Sequence, residues 1–211
     1  MEKPTNYFSI LREEMLKYVP ADAKIILEIG CGDGTFSEHL KRTQNIECWG
    51  IEYEPEQAAI AKTKMHKILV GDALVMINEL PDSYFDAVIC NDVLEHLLDP
   101  YTVLKNLKAK IKPNGLVISS LPNVRFFRNL SDLVFNKNWD YQDSGILDIT
   151  HIRFFTTKSI VKMYENAGFE VVTHEGINKT QSIKPILINI FTFNAFSDIY
   201  YLQFATVARV K

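Results

Sequence analysis

Four places along the chain carry side chains whose types and spacing could grip a ligand. The first is Glu28-Ile29-Gly30-Cys31-Gly32-Asp33-Gly34-Thr35, an acidic residue followed by three alternate glycines. Glycines in such a turn let the main chain take φ > 0 and let a ligand approach with no Cβ in the way. The others are Glu52, Gly71-Asp72-Ala73 and Asn91-Asp92. A phosphate would call for the opposite charge. A dinucleotide turn needs Gly-x-Gly-x-x-Gly, and its third glycine falls here on Thr35. A row of carboxylates suits a ligand rich in hydroxyls and amines, or a cationic one. Glu52 can accept both hydroxyls of a ribose, and Asp72 can accept from an exocyclic amine. An aminated nucleoside joined to a positively charged group meets these demands together.

Asp92, Glu95 and His96 stand at i, i+3 and i+4 and would share one face of a helix. Two carboxylates and an imidazole could hold a divalent metal. A structural role, or one at the edge of the cofactor site, is the preferred reading, and no metal is expected.

These residues need strands that end together. Ile25 to Ile29 is a short apolar run, and helical spacing resumes behind the glycines from about Thr35 to Thr43. A second strand, Glu47 to Ile51, stops before Glu52, and Pro55 suits the first turn of the next helix. Strands follow at Lys67–Val70 and Phe85–Cys90, then a helix at about Pro100 to Ile111, then the turn Pro113-Asn114-Gly115. Leu116 to Leu121 is the fifth strand, Phe169 to His174 the sixth and Tyr201 to Val210 the seventh. The five-fold alternation argues for an open parallel sheet with helices on both faces. In such a sheet ligands bind beyond the carboxyl ends of the strands, where all four acidic places fall.

The rest is read as one domain over residues 1–211, with an amphipathic helix over 1–20 and insertions over the sheet at 123–155 and 177–200. With 211 residues, 47% of them hydrophobic, and a net charge of −3, the chain gives no case for nucleic-acid binding. No apolar run is long enough to span a bilayer. Cys31, Cys48 and Cys90 lack metal-ligand spacing, which favours free thiols and a cytoplasmic setting.

Glu28-Ile-Gly-Cys-Gly-Asp-Gly-Thr resembles the first motif of class I S-adenosylmethionine-dependent methyltransferases. Glu52, Gly71-Asp72-Ala73, Phe85-Asp86-Ala87-Val88-Ile89-Cys90 and Ile111-Lys112-Pro113-Asn114-Gly115 match its later motifs in order. The resemblance implies a Rossmann-like α/β sheet in the order 3-2-1-4-5-7-6, the last strand antiparallel, and S-adenosyl-L-methionine as cofactor. It also implies roles. Gly30, Cys31 and Gly32 would pass under the methionine and ribose, and Glu28 and the Asn91 main chain would face the methionine amine. Glu52 would bind the ribose, Tyr53 would lie against the adenine, and Asp72 and the Ala73 backbone would take the adenine edge. Asp92 is grouped with these as a cofactor-edge residue. Glu-His pairs like Glu95-His96 occur in small-RNA and ubiquinone-pathway O-methyltransferases where a metal is implicated, and widely in the superfamily without one.

Asp148-Ile-Thr-His151-Ile-Arg153-Phe-Phe-Thr156 resembles a segment of a methyltransferase type 11/12-like subgroup often linked with cell-surface saccharide or glycolipid pathways. His151 is the candidate general base, since a hydroxyl acceptor needs its proton taken near neutral pH. The expected activity is methyl transfer to a small-molecule or lipid- or saccharide-linked acceptor at oxygen. A non-catalytic S-adenosylmethionine-binding module and a nucleotide-dependent oxidoreductase are the alternatives. Val124 to Trp139 mixes aromatic, aliphatic and basic residues. It reads first as a lid on the acceptor pocket, then as a homodimer surface, then as a membrane-facing one. Ile186 to Phe196 is expected to pack in the core or at an interface.

Overall fold

The computed structural model describes residues 9–211. Seven strands make one sheet in the order 3-2-1-4-5-7-6. β1 (Ile25–Ile29), β2 (Glu47–Glu52), β3 (Lys67–Val70), β4 (Phe85–Asn91) and β5 (Ile111–Pro122) run parallel. β7 (Tyr201–Val210) lies between β5 and β6 (Phe169–Lys179) and is antiparallel to both. The helices are α1 (Glu13–Leu16), α2 (Thr35–Gln44), α3 (Pro55–Lys64), α4 (Ala73–Met76), α5 (Pro100–Lys110), α6 (Phe127–Phe135), α7 (Thr157–Asn166) and α8 (Lys184–Phe191).

Successive strand residues point to opposite faces, and the core divides accordingly. Leu27, Val88 and Cys90 pack with Leu104, Ile160 and Tyr164 on one side. Ile26, Ala87 and Ile89 pack with Met15, Phe36 and Leu40 on the other. Both faces of the central strands are therefore dry, which explains their unbroken apolar runs. Each fully buried Leu, Ile or Phe contributes about 1.5–3 kcal/mol.

Several boundaries differ from the sequence reading. Of the amphipathic helix expected over 1–20, residues 1–8 lie outside the described chain, and the described part is helical only over Glu13–Leu16. Met15 and Val19 are nonetheless buried. β6 does not stop at His174. It pairs with β7 as far as Lys179↔Tyr201, so residues 177–179 belong to the sheet and not to an insertion. Pro113-Asn114-Gly115 is a bulge within β5: Asn114 has φ 65°, and pairing jumps from Phe85↔Ile111 to Ala87↔Leu116. Core packing fails for Ile186, Leu187, Ile190 and Phe191, which are exposed, because α8 turns Pro185 and Asn189 inward instead.

Candidate functional site

A cavity of about 800 Å³ opens at the carboxyl ends of the strands. Glu28, Gly30, Cys31 and Gly32 line it from the end of β1, and Glu52 and Tyr53 from the end of β2. Asp72 and Ala73 reach it from the turn after β3, and Asn91 and Asp92 from the end of β4. Glu95, His96 and His151 line it as well.

The glycine turn is held open by its backbone. Gly30, Gly32 and Gly34 have φ of 66°, 55° and 81°, values that residues with a Cβ resist. Gly30 N–H donates to the Ile51 carbonyl at 2.8 Å, which ties the turn to β2. A Cβ on Gly30 would come within 2.6 Å of Val93.

Two carboxylates stand behind that turn. Glu52 is buried, and it accepts from Gly32 N–H at 2.7 Å and Glu54 N–H at 2.9 Å. Burial raises its pKa above the ordinary carboxylate range. Glu28, also buried, accepts from the Ser37 hydroxyl at 2.6 Å. Burial pushes its pKa up to about 8. Ser37 was not singled out in the sequence. Its signal is a hydroxyl on the buried face of α2 beside Phe36 and Leu40. Asp72 caps α4 by accepting from Leu74 N–H at 2.8 Å, and Tyr53 is largely exposed. The side-chain amide of Asn91 is buried, and neither its nitrogen nor its oxygen has a hydrogen-bond partner. Buried amides are rarely left so, and this one faces the cavity.

Asp92 does not join Glu95 and His96 on a helix face. Leu94–His96 is a single 3-10 turn, and Asp92 has φ 48°. The Asp92 carboxylate pairs with Arg12 and accepts from Ser120 Oγ at 2.9 Å and Gln203 Nε2 at 2.7 Å. Nothing in the local sequence signals Arg12 or Gln203, which arrive from the two ends of the chain.

His151 takes the place that spacing assigned to Asp92. Ile152 and Arg153 N–H both donate to the Glu95 carbonyl at 3.1 Å, and Arg153 Nη2 donates to the Leu98 carbonyl at 2.6 Å. The His151-bearing loop is thereby docked on the turn after β4. His151 Nε2 then lies 3.9 Å from Glu95 Oε1, and its ring packs edge-on against His96 with centroids 4.6 Å apart. The ligand atoms of Glu95, His96 and His151 all lie within 4.8 Å of one another. Glu95 is 1% exposed, and neither carboxylate oxygen has a hydrogen-bond partner. Burial pushes its pKa up to about 8.

The chain is similar to known proteins along most of its length. Residues 5–174 match a family model described as a methyltransferase domain. The chain is 25% identical over 217 aligned positions to the ubiquinone biosynthesis O-methyltransferase of Vibrio cholerae serotype O1, covering 95% of this chain and 78% of that protein. It is 32% identical over 109 residues to the enzyme of the same name from Yersinia enterocolitica, covering 47% of this chain and 43% of that one. The latter match thus spans less than half of the relative's length. A solved SAM-dependent methyltransferase from Archaeoglobus fulgidus superposes with a TM-score of 0.69 at 21% identity, over 93% of this chain and 91% of that one. At that identity the likeness is one of fold.

Proposed function

The chain belongs to the methyltransferase-domain family, and from that premise we propose that it moves a methyl group from S-adenosylmethionine to an oxygen of a small-molecule acceptor. One observation carries the reading: the glycine turn, the strand-end acids and the Glu95–His96–His151 group line one continuous cavity. Oxygen as the target is supported by the relatives from Vibrio cholerae and Yersinia enterocolitica, which are O-methyltransferases.

The residues present fit the cofactor. S-adenosylmethionine supplies a methyl group on a positively charged sulfur. Gly30, Cys31 and Gly32 offer a backbone floor without side chains at the glycines. Glu52 is placed for a ribose diol. Asp72 and the Ala73 backbone suit an adenine edge, with the exposed Tyr53 ring beside them. Glu28 and Asn91 suit an ammonium and carboxylate, and the unpartnered Asn91 amide is the strongest sign that a polar ligand belongs here. Asp92 borders the site, and its carboxylate holds Arg12.

His151 is the general base in this reading. Its Nδ1 lies 2.9 Å from the Ile146 carbonyl, an acceptor only, so Nδ1 carries the proton and Nε2 is the basic atom. Methyl transfer otherwise needs alignment and exclusion of water, and the loop docked on Glu95 serves both. The acceptor class extends to saccharide- or lipid-linked hydroxyls. The three free, buried cysteines suit a reducing cytoplasm.

A second reading is favoured by one observation. The buried Glu95 carboxylate, which accepts no hydrogen bond, has with His96 and His151 the donor set for a divalent cation, which would then orient the acceptor oxygen. The first reading is preferred, because His151 already presents Nε2 as a proton acceptor in the cavity and the proton transfer asks for no further group.

Calorimetry with S-adenosylhomocysteine tests the cofactor, and mass spectrometry over a panel of phenols and sugars tests transfer. Binding without transfer to any acceptor would favour a non-catalytic module. Stabilisation by a nicotinamide dinucleotide instead would favour an oxidoreductase.

A further inference from the structure

The segment after β6 contains a helix built inside out. The positions of α8 buried against the protein are Pro185 and Asn189. The Asn189 amide donates to the Pro185 carbonyl at 3.0 Å and the Phe196 carbonyl at 2.9 Å, and it accepts from Phe196 N–H at 3.1 Å. The polar side chain is thus spent on pinning the turn that follows. Ile186, Leu187, Ile190 and Phe191 face outward. The chain then reverses through Phe193 and Asn194, with φ of 50° and 63°. A bulky residue in that region is strained, and the Phe193 ring there is 95% exposed, next to Phe191 at the end of α8, which is 81% exposed. Water-facing helices ordinarily show the opposite pattern, so this face is made for an apolar neighbour.

Charge says which neighbour. Residues 176–197 contain Lys179 and Lys184 and no Asp or Glu. A groove joins the start of α8 to α6 and is lined by Arg128, Asp132 and Lys184. Across 123–138 the basic residues are Arg125, Arg128 and Lys137 against the single acid Asp132, and Arg125 is paired with Asp198. Leu133, Val134 and Phe135 of α6 are exposed as well. An outward apolar face with protruding phenylalanines and a basic surround is complementary to an anionic lipid surface. Eight residues of helix reach about 12 Å, far short of a bilayer core, and no described helix is long and apolar enough to span one. We propose that α8 and the Phe193 turn lie in the headgroup region of an anionic membrane, with α6 beside them, as a peripheral docking surface.

The proposal does not depend on the methyl-transfer reading, and the test keeps the two apart. The purified full chain is floated with vesicles of phosphatidylcholine alone and with phosphatidylcholine and phosphatidylglycerol in roughly equal parts. The expected result is flotation with the anionic vesicles that high salt suppresses. The F191S/F193S variant should lose at least about tenfold in vesicle affinity while S-adenosylhomocysteine binding stays unchanged. Both rings are solvent-exposed, so an unaltered melting temperature shows that the variant is folded. Absence of flotation with either vesicle would overturn the proposal. So would a dimer in sedimentation that the same substitutions abolish, because the face would then join two copies of the chain.

Discussion

Nε2 of His151 lies 3.9 Å from Oε1 of Glu95, and both side chains are buried. The pair joins the turn after the fourth strand to a loop more than fifty residues further on. It closes one wall of the cavity that the glycine turn and the strand-end acids also line.

If Nε2 takes the acceptor's proton, His151→Ala should lower kcat by about 10²–10⁴-fold. Binding of S-adenosylhomocysteine should stay within about two-fold, since the residues proposed to hold the cofactor are untouched. A loss confined to affinity, with the rate restored at saturation, would refute the assignment.

Treatment with a chelator should leave the rate of His151-dependent transfer unchanged. Inactivation by chelation, reversed by a divalent salt, would convert Glu95, His96 and His151 from a proton-handling group into a metal site. Metal analysis of the purified protein is the companion measurement.

Glu52→Gln keeps the shape of the side chain and removes its charge. A hydrogen bond to a charged group contributes about 1.5–3 kcal/mol, so cofactor affinity should fall about ten- to hundred-fold. Titration calorimetry reads this directly. An unchanged affinity would remove Glu52 from the ribose.

Glu28 carries a pH signature. Its pKa rises from an ordinary 4.5 to about 8 on folding, because burial disfavours the charge. The folded protein then holds this proton more tightly than the unfolded chain. The resulting stability is complete below about pH 4.5 and is lost as pH rises towards 8. Glu28→Gln mimics the protonated form. Without ligand, its melting temperature should match the wild type near pH 5 and exceed it near pH 9. A chain of this size gains about 2–4 °C per kcal/mol. A gap that does not widen with pH would show that the carboxyl is not buried as described.

Gly30→Ala tests the turn. A side chain at φ 66° is strained by about 1–3 kcal/mol, and its Cβ would press on Val93. The melting temperature should drop by several degrees, and cofactor binding should weaken. The double variant with Val93→Ala should recover part of the stability, because the 2.6 Å clash with Val93 Cγ2 is removed while the dihedral strain stays.

The sheet and the strand-end side of the cavity were legible in the sequence. Those features are local: an apolar run marks a strand, alternate glycines mark a turn with φ > 0, and an acid just past a strand lies at that strand's carboxyl end. Strand alternation then placed Glu28, Glu52, Asp72 and Asn91 on one edge without any knowledge of contacts. Only the tertiary structure decided the far wall. The spacing of Asp92, Glu95 and His96 presumed an α-helix, but the chain makes a 3-10 turn and Asp92 turns to Arg12. His151 fills the vacated role because its loop's N–H groups bond the Glu95 carbonyl, a pairing that no periodicity records. The same holds for α8, whose apolar residues suggested burial. One asparagine that satisfies three hydrogen bonds inside its turn holds the opposite face against the protein.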